Sequence, residues 1–115
     1  MAYLLLLAIL AVLSTLAACN TNCYTKQGGT AVYSGTKSVT ASGKPCQSWS
    51  VKAPNNHAYF RDYFDITNGA PNLGYAGAAN YCRDPSGDNI LPSGYPWCYL
   101  ADEQGWELCA IHKCT

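Results

Sequence analysis

Six of the seven cysteines, Cys23, Cys46, Cys82, Cys98, Cys109 and Cys114, lie beyond an apolar start to the chain. In a sequence of 115 residues this density limits the outcome to a small crosslinked domain, because few residues are left to build an extended core. Spacing alone leaves many pairings open. The stretch ahead of the first framing cysteine sets the redox compartment. Leu4 to Leu13 is an unbroken apolar run, and small residues follow at Ser14, Thr15, Ala17 and Ala18. That is the layout of a secretory signal peptide, although no Lys or Arg precedes the run. A transmembrane anchor is the competing reading, but the run is short against the roughly 20 apolar residues a bilayer needs. The expected organisation is a signal peptide over residues 1–18, cleaved after Ala17 or Ala18, a short segment over 19–22 and one domain over 23–114, exported to an oxidising space.

Formal net charge is zero, with Lys26, Lys37, Lys44, Lys52, Arg61, Arg83 and Lys113 spread along the chain. A distributed charge of this kind argues against nucleic acid or another polyanion as partner. The exported part shows no helical apolar period, no repeat and no linker. Thr30 to Tyr33, Ser38 to Ala41, Tyr95 to Tyr99 and Trp106 to Cys109 are short β-branched or aromatic runs bounded by Gly, Pro, Ser or Asn, which predicts brief strands. Asn68-Gly69, Pro85-Ser86-Gly87-Asp88 and Pro92-Ser93-Gly94 are turn signatures. The fold class is therefore small and disulfide-rich, mostly loops with short antiparallel β-strands. A core this small rarely holds without crosslinks.

Tyr33, Gly35, Thr36, Ser38, Thr40, Ser42 and Gly43 lead into Cys46-Gln47-Ser48-Trp49, and Asn80-Tyr81-Cys82-Arg83, Pro96-Trp97-Cys98-Tyr99 and Trp106-Glu107-Leu108-Cys109 follow, then Ile111 and Cys114. With these motifs the chain resembles a kringle domain of the plasminogen type, over nearly all of its exported part. The resemblance implies a kringle fold with three disulfides, Cys23 with Cys114, Cys46 with Cys98 and Cys82 with Cys109. It also implies a shallow groove in which an acidic pair holds a lysine ammonium, aromatic residues hold its methylenes and basic residues hold its carboxylate.

Carried over residue by residue, that groove is incomplete. Ser86 stands at the first acidic position and Asp88 at the second, while Asp84 takes a position usually held by Asn. Trp97, Tyr99 and Trp106 fall on the aromatic positions. The basic positions read Tyr59 and, with a one-residue deletion before Trp106, Gly105. Free lysine is therefore expected to bind weakly or not at all, whereas Asp88, Trp97, Tyr99, Trp106 and Tyr59 suit an internal Lys or Arg of an extracellular partner. The competing reading makes Trp97 and Trp106 packing residues beside the disulfides. Under it the protein is a structural or defence-type scaffold with a vestigial groove.

The segment between His57 and Cys82 is longer than the family pattern and carries Tyr59, Phe60, Tyr63 and Phe64, and Asn89 to Tyr95 lengthens a second loop. These aromatics are expected to fill space vacated where Gly77 replaces a core leucine, with partner recognition as the alternative. Cys19 lies outside the cysteine frame, open to an interchain disulfide, a capped thiol or removal with the leader. Leu16-Ala17-Ala18-Cys19 also has the form of a lipoprotein processing box. No serine-nucleophile motif is present, His57 is expected to pack and hydrogen-bond, and cysteines held in disulfides leave no thiolate for a metal. The expectation is a non-enzymatic module with no cofactor, and the chain carries no N-glycosylation sequon.

Overall fold

The computed structural model describes residues 22–59, 63–69, 73–85 and 94–115. Strand β1, Thr25–Gln27, pairs antiparallel with β2, Thr30–Val32. Strand β3, Trp97–Tyr99, pairs antiparallel with β4, Trp106–Leu108, in the register Trp97 to Leu108 and Tyr99 to Trp106. Two five-residue helices, α1 at Tyr63–Thr67 and α2 at Gly74–Ala78, lie between the hairpins. Three of the four expected strands are present in shortened form. Ser38 to Ala41 instead makes only an isolated bridge, Val39 to Pro45.

The disulfides are Cys23–Cys114, Cys46–Cys98 and Cys82–Cys109. The first closes the two ends of the domain, where Tyr24 also exchanges backbone hydrogen bonds with His112 and Cys114. The other two cross in the centre, with Sγ of Cys46 and Cys82 3.9 Å apart. In the chain-entropy model each bridge contributes roughly 2–4 kcal/mol by restricting the unfolded chain.

Neither helix is visible as a period in the sequence, because five residues make little more than one turn and cannot be stable alone. Tertiary packing forms them. Phe64 of α1 is fully buried, its ring 5.1 Å from that of Trp49 and 5.5 Å from that of Tyr75. Asn68 and Gly69 end α1 with backbone bonds to Phe64 and Ile66, and Asn68 also donates from its side chain to the Gly74 carbonyl at 3.0 Å. Gly77 leaves room for Leu73 at the start of α2 and for Asn68 beyond α1, since a Cβ there would meet Leu73 Cβ at 2.5 Å and Asn68 Nδ2 at 3.0 Å. The long segment after His57 thus packs inward through Tyr59 and Phe64, as expected, while Tyr63 stays partly exposed and Phe60 lies outside the described residues. Among the described residues no helix is long and apolar enough to cross a membrane.

Two buried polar centres tie these parts together. The guanidinium of Arg83 donates to Asn68 Oδ1 at 2.7 Å and to the carbonyls of Gly35, Cys82 and Gly77, each at 2.9 Å. Burial lowers its pKa to about 10, so it remains a cation at neutral pH. Gln47 and Asn55 exchange backbone and side-chain bonds, and Asn55 Nδ2 reaches the carbonyls of Leu100 and Glu103.

Candidate functional site

Trp49 is the centre of an aromatic cluster. Trp97 meets it edge-on at 5.1 Å and Tyr99 at 5.9 Å, while Trp97 and Tyr99 are 5.0 Å apart. Edge-to-face arrangements of this kind match the positive rim of one ring to the negative face of the next. The indole N–H groups of the two buried tryptophans are both used: Trp49 donates to the Tyr81 carbonyl at 2.7 Å and Trp97 to Asp84 Oδ1 at 3.4 Å.

The register of β3 and β4 puts Trp97, Tyr99, Trp106 and Leu108 on one side of the hairpin and Cys98 and Glu107 on the other. These side chains differ in depth. Trp97 is 0% exposed, Tyr99 is half-buried, and Trp106 and Leu108 are 37% and 41% exposed. Trp106 lies 6.0 Å from Trp97 and so rests on the cluster from outside. Trp97, expected on the aromatic floor, is 0% exposed, and Tyr59, expected at the basic end, is buried as well. Both are core residues, because Trp49 packs edge-on against each, the two rings meet each other at 6.2 Å, and His57 lies 5.7 Å from Tyr59. Leu108 belongs to the outer face and was missed, although its i, i+2 spacing from Trp106 on a strand is the signal that finds it.

Asp84 faces inward. It is fully buried, and Oδ2 accepts the backbone N–H of Ala31 at 2.9 Å and that of Gly94, while Oδ1 takes the Trp97 indole. Its own N–H donates to Thr67 Oγ1 at 2.9 Å. A carboxylate suits this position where an amide does not, since every partner named offers a proton. Asp84 therefore joins β2, α1 and β3 and does not turn outward to a ligand. Ser86 and Asp88 lie outside the described residues.

Among the described residues the other end of the face carries no cation. Tyr59 is buried, its carbonyl accepting from the Tyr75 hydroxyl. Gly105 has φ +131° and donates its N–H to Asn55 Oδ1 at 2.8 Å. A side chain at that φ is strained, so the turn itself disfavours a basic residue there. Lys44 pairs with Glu103 at 2.8 Å and with Glu107 of β4 at 3.6 Å. The pair with Glu103 raises the pKa of Lys44, and hydrogen bonds from Ser42 and Thr40, with Lys44 adding to them, lower that of Glu107.

His57 lies under the face. Its ring stacks on Tyr99 at 5.7 Å with 10° between planes, and Nε2 is 3.1 Å from the Val51 carbonyl. Nδ1 is buried and has no hydrogen-bond partner among the described residues, and burial lowers the pKa of the ring. Burial likewise raises the pKa of Tyr99, opposed by a hydrogen bond with Tyr59. His57 is thus a neutral packing residue. The sulfurs of Cys46, Cys82, Cys98 and Cys109 lie within 4.8 Å of one another, but all four are in disulfides and none is a thiolate.

Residues 23–114 match the family model described as Kringle domain. Over 95 residues the chain is 37% identical to plasminogen of Capra hircus, an alignment that covers 82% of this chain and 65% of that relative. The chain therefore spans just under two thirds of the curated relative it matches.

Proposed function

The chain belongs to the kringle family, whose members are protein-interaction modules. From that premise we propose that its outer aromatic face docks an extracellular protein through an internal lysine or arginine side chain. The observation that carries this reading is the pair of exposed apolar side chains, Trp106 and Leu108, set beside half-buried Tyr99 on a hairpin backed by a rigid aromatic core. Such a surface accepts the methylenes of a long basic side chain and the face of an indole attracts its charge, an interaction of about 0.5–2 kcal/mol. Asp88 supplies the carboxylate. Free lysine binds poorly because its own carboxylate meets Tyr59 and Gly105 in place of cations. Residues 1–18 act as a signal peptide in this reading, and the protein is a secreted, non-catalytic module.

The buried state of Trp97 and Tyr59 favours one other reading, a scaffold whose groove is vestigial. Tryptophan fluorescence of the oxidised chain separates the two. Pentylamine is expected to change the emission saturably, 6-aminohexanoic acid to bind no better than the amine, and Trp106→Ala to abolish the response. Tighter binding of the amino acid than of the amine would refute the internal-side-chain reading. Silence with both ligands would leave the scaffold reading.

A further inference from the structure

A cleft of about 380 Å³ opens where the two ends of the domain meet and is lined by Asn22, Tyr33, Thr36, Lys37, Ala110 and Ile111. None of these residues belongs to the β3–β4 face. Its volume is within the range of small-ligand sites. The lining is one-sided in its chemistry, because among the described residues it holds an ammonium, a phenol, a hydroxyl and an amide but no acidic side chain. Lys37 Nζ donates to the Ala110 carbonyl at 3.1 Å, which uses one of its three N–H bonds and fixes it at the rim. Among the described residues only Lys44 forms ion pairs, so the charge of Lys37 is not set against a carboxylate there.

The phenol is biased in the same sense. Tyr33 Oη accepts the Lys37 backbone N–H at 3.1 Å, which leaves its own proton to be donated. Behind the ring the guanidinium of Arg83 lies 5.5 Å from the ring centroid, buried among carbonyls and Asn68. That second cation adds positive potential at the back of the cleft and strengthens the phenol as a donor. Ile111 and Ala110 supply an apolar wall.

We infer that this cleft is an anion site that takes a carboxylate carried beside an aliphatic side chain, the chemistry of a peptide C-terminus ending in a residue such as leucine. One ammonium with neutral donors matches a monoanion, and the wall of Ile111 and Ala110 matches an apolar neighbour. The site offers the domain a second point of attachment, independent of the outer aromatic face.

The test titrates the oxidised full chain, labelled for amide NMR, with N-acetyl-L-leucine and with N-acetyl-L-leucinamide. The acid is expected to shift the amides of Thr36, Lys37 and Ile111 saturably, and the amide probe to leave them in place. Lys37→Gln should weaken the acid by about tenfold or more through loss of a charged hydrogen bond, while Lys37→Arg retains it. Equal responses to acid and amide, an unchanged titration in a folded Lys37→Gln protein, or shifts confined to the β3–β4 hairpin would each overturn the assignment. The comparison of acid with amide is made on the unaltered chain, so it decides the matter even if a variant fails to fold.

Discussion

The inner and outer halves of one aromatic cluster are made of the same residue types and lie a ring's width apart, yet they face different solvents. Trp49, Trp97 and Phe64 are closed on all sides, and the N–H of each indole is hydrogen-bonded. Trp106, with Leu108 beside it, leaves a large part of its surface in water. The difference teaches that an aromatic floor divides its work by depth. The inner rings hold the hairpin in place, and only the outer ones are available to a partner. An alternation of one strand position decides which side of the hairpin a ring joins, and the insertion packed over it decides the depth.

Four substitutions and a pH series test that division, beginning with the largest effect. Trp97→Ala should destabilise the domain by about 3–5 kcal/mol, as removal of a fully buried large aromatic does, measured by denaturant unfolding under oxidising conditions. Trp106→Ala should cost well under half as much. If Trp97→Ala instead stayed as stable as Trp106→Ala and lost only amine binding, the inner ring would belong to the binding face after all.

Asp84→Asn comes next. An amide turns N–H groups toward donors that now meet carboxylate oxygens, at a cost of about 1–3 kcal/mol. Thermal unfolding should show a clear drop, and the indole N–H resonance of Trp97 should move because its acceptor has changed. An unchanged melting temperature would mean that Asp84 is not the junction of β2, α1 and β3.

The smallest effect concerns His57, whose folded pKa is held below the usual 6.5 by burial, with Lys52 acting in the same direction. The unfolded chain therefore takes up the proton first as pH falls. Stability is greatest above 6.5 and declines as pH drops from there through the folded pKa. Glu107, whose pKa is lowered from 4.5, loses its contribution only in a more acidic window. Melting temperatures should thus fall modestly below neutral pH, and His57→Gln should flatten that part of the curve. A slope that persists in His57→Gln would assign it to another group.

Much of the frame was legible before any coordinates. The cysteine order together with Cys46-Gln47-Ser48-Trp49 and Pro96-Trp97-Cys98-Tyr99 points to the family, and the family supplies the pairing that the structure contains. Three strands could be read from their β-branched and aromatic runs because a strand's pattern is local. Strand β1, Thr25–Gln27, was not, since its three residues are polar and exposed. Helices α1 and α2 were not either, because each is too short to carry a period. The depth of Trp97 and Tyr59 and the inward turn of Asp84 depend on neighbours tens of residues away.

The sequence by itself determined the crosslinked small-domain class, the family, and that Tyr59 and Gly105 stand where the resemblance expects basic residues, because residue identity and spacing are written in the chain. Tertiary structure alone decided which aromatics are core and which are surface, and that Asp84 is a buried acceptor. It also decided that Tyr33, Lys37 and Ile111 converge on one cleft. Burial and hydrogen-bond satisfaction are set by contacts between distant segments, and no local pattern in the chain encodes them.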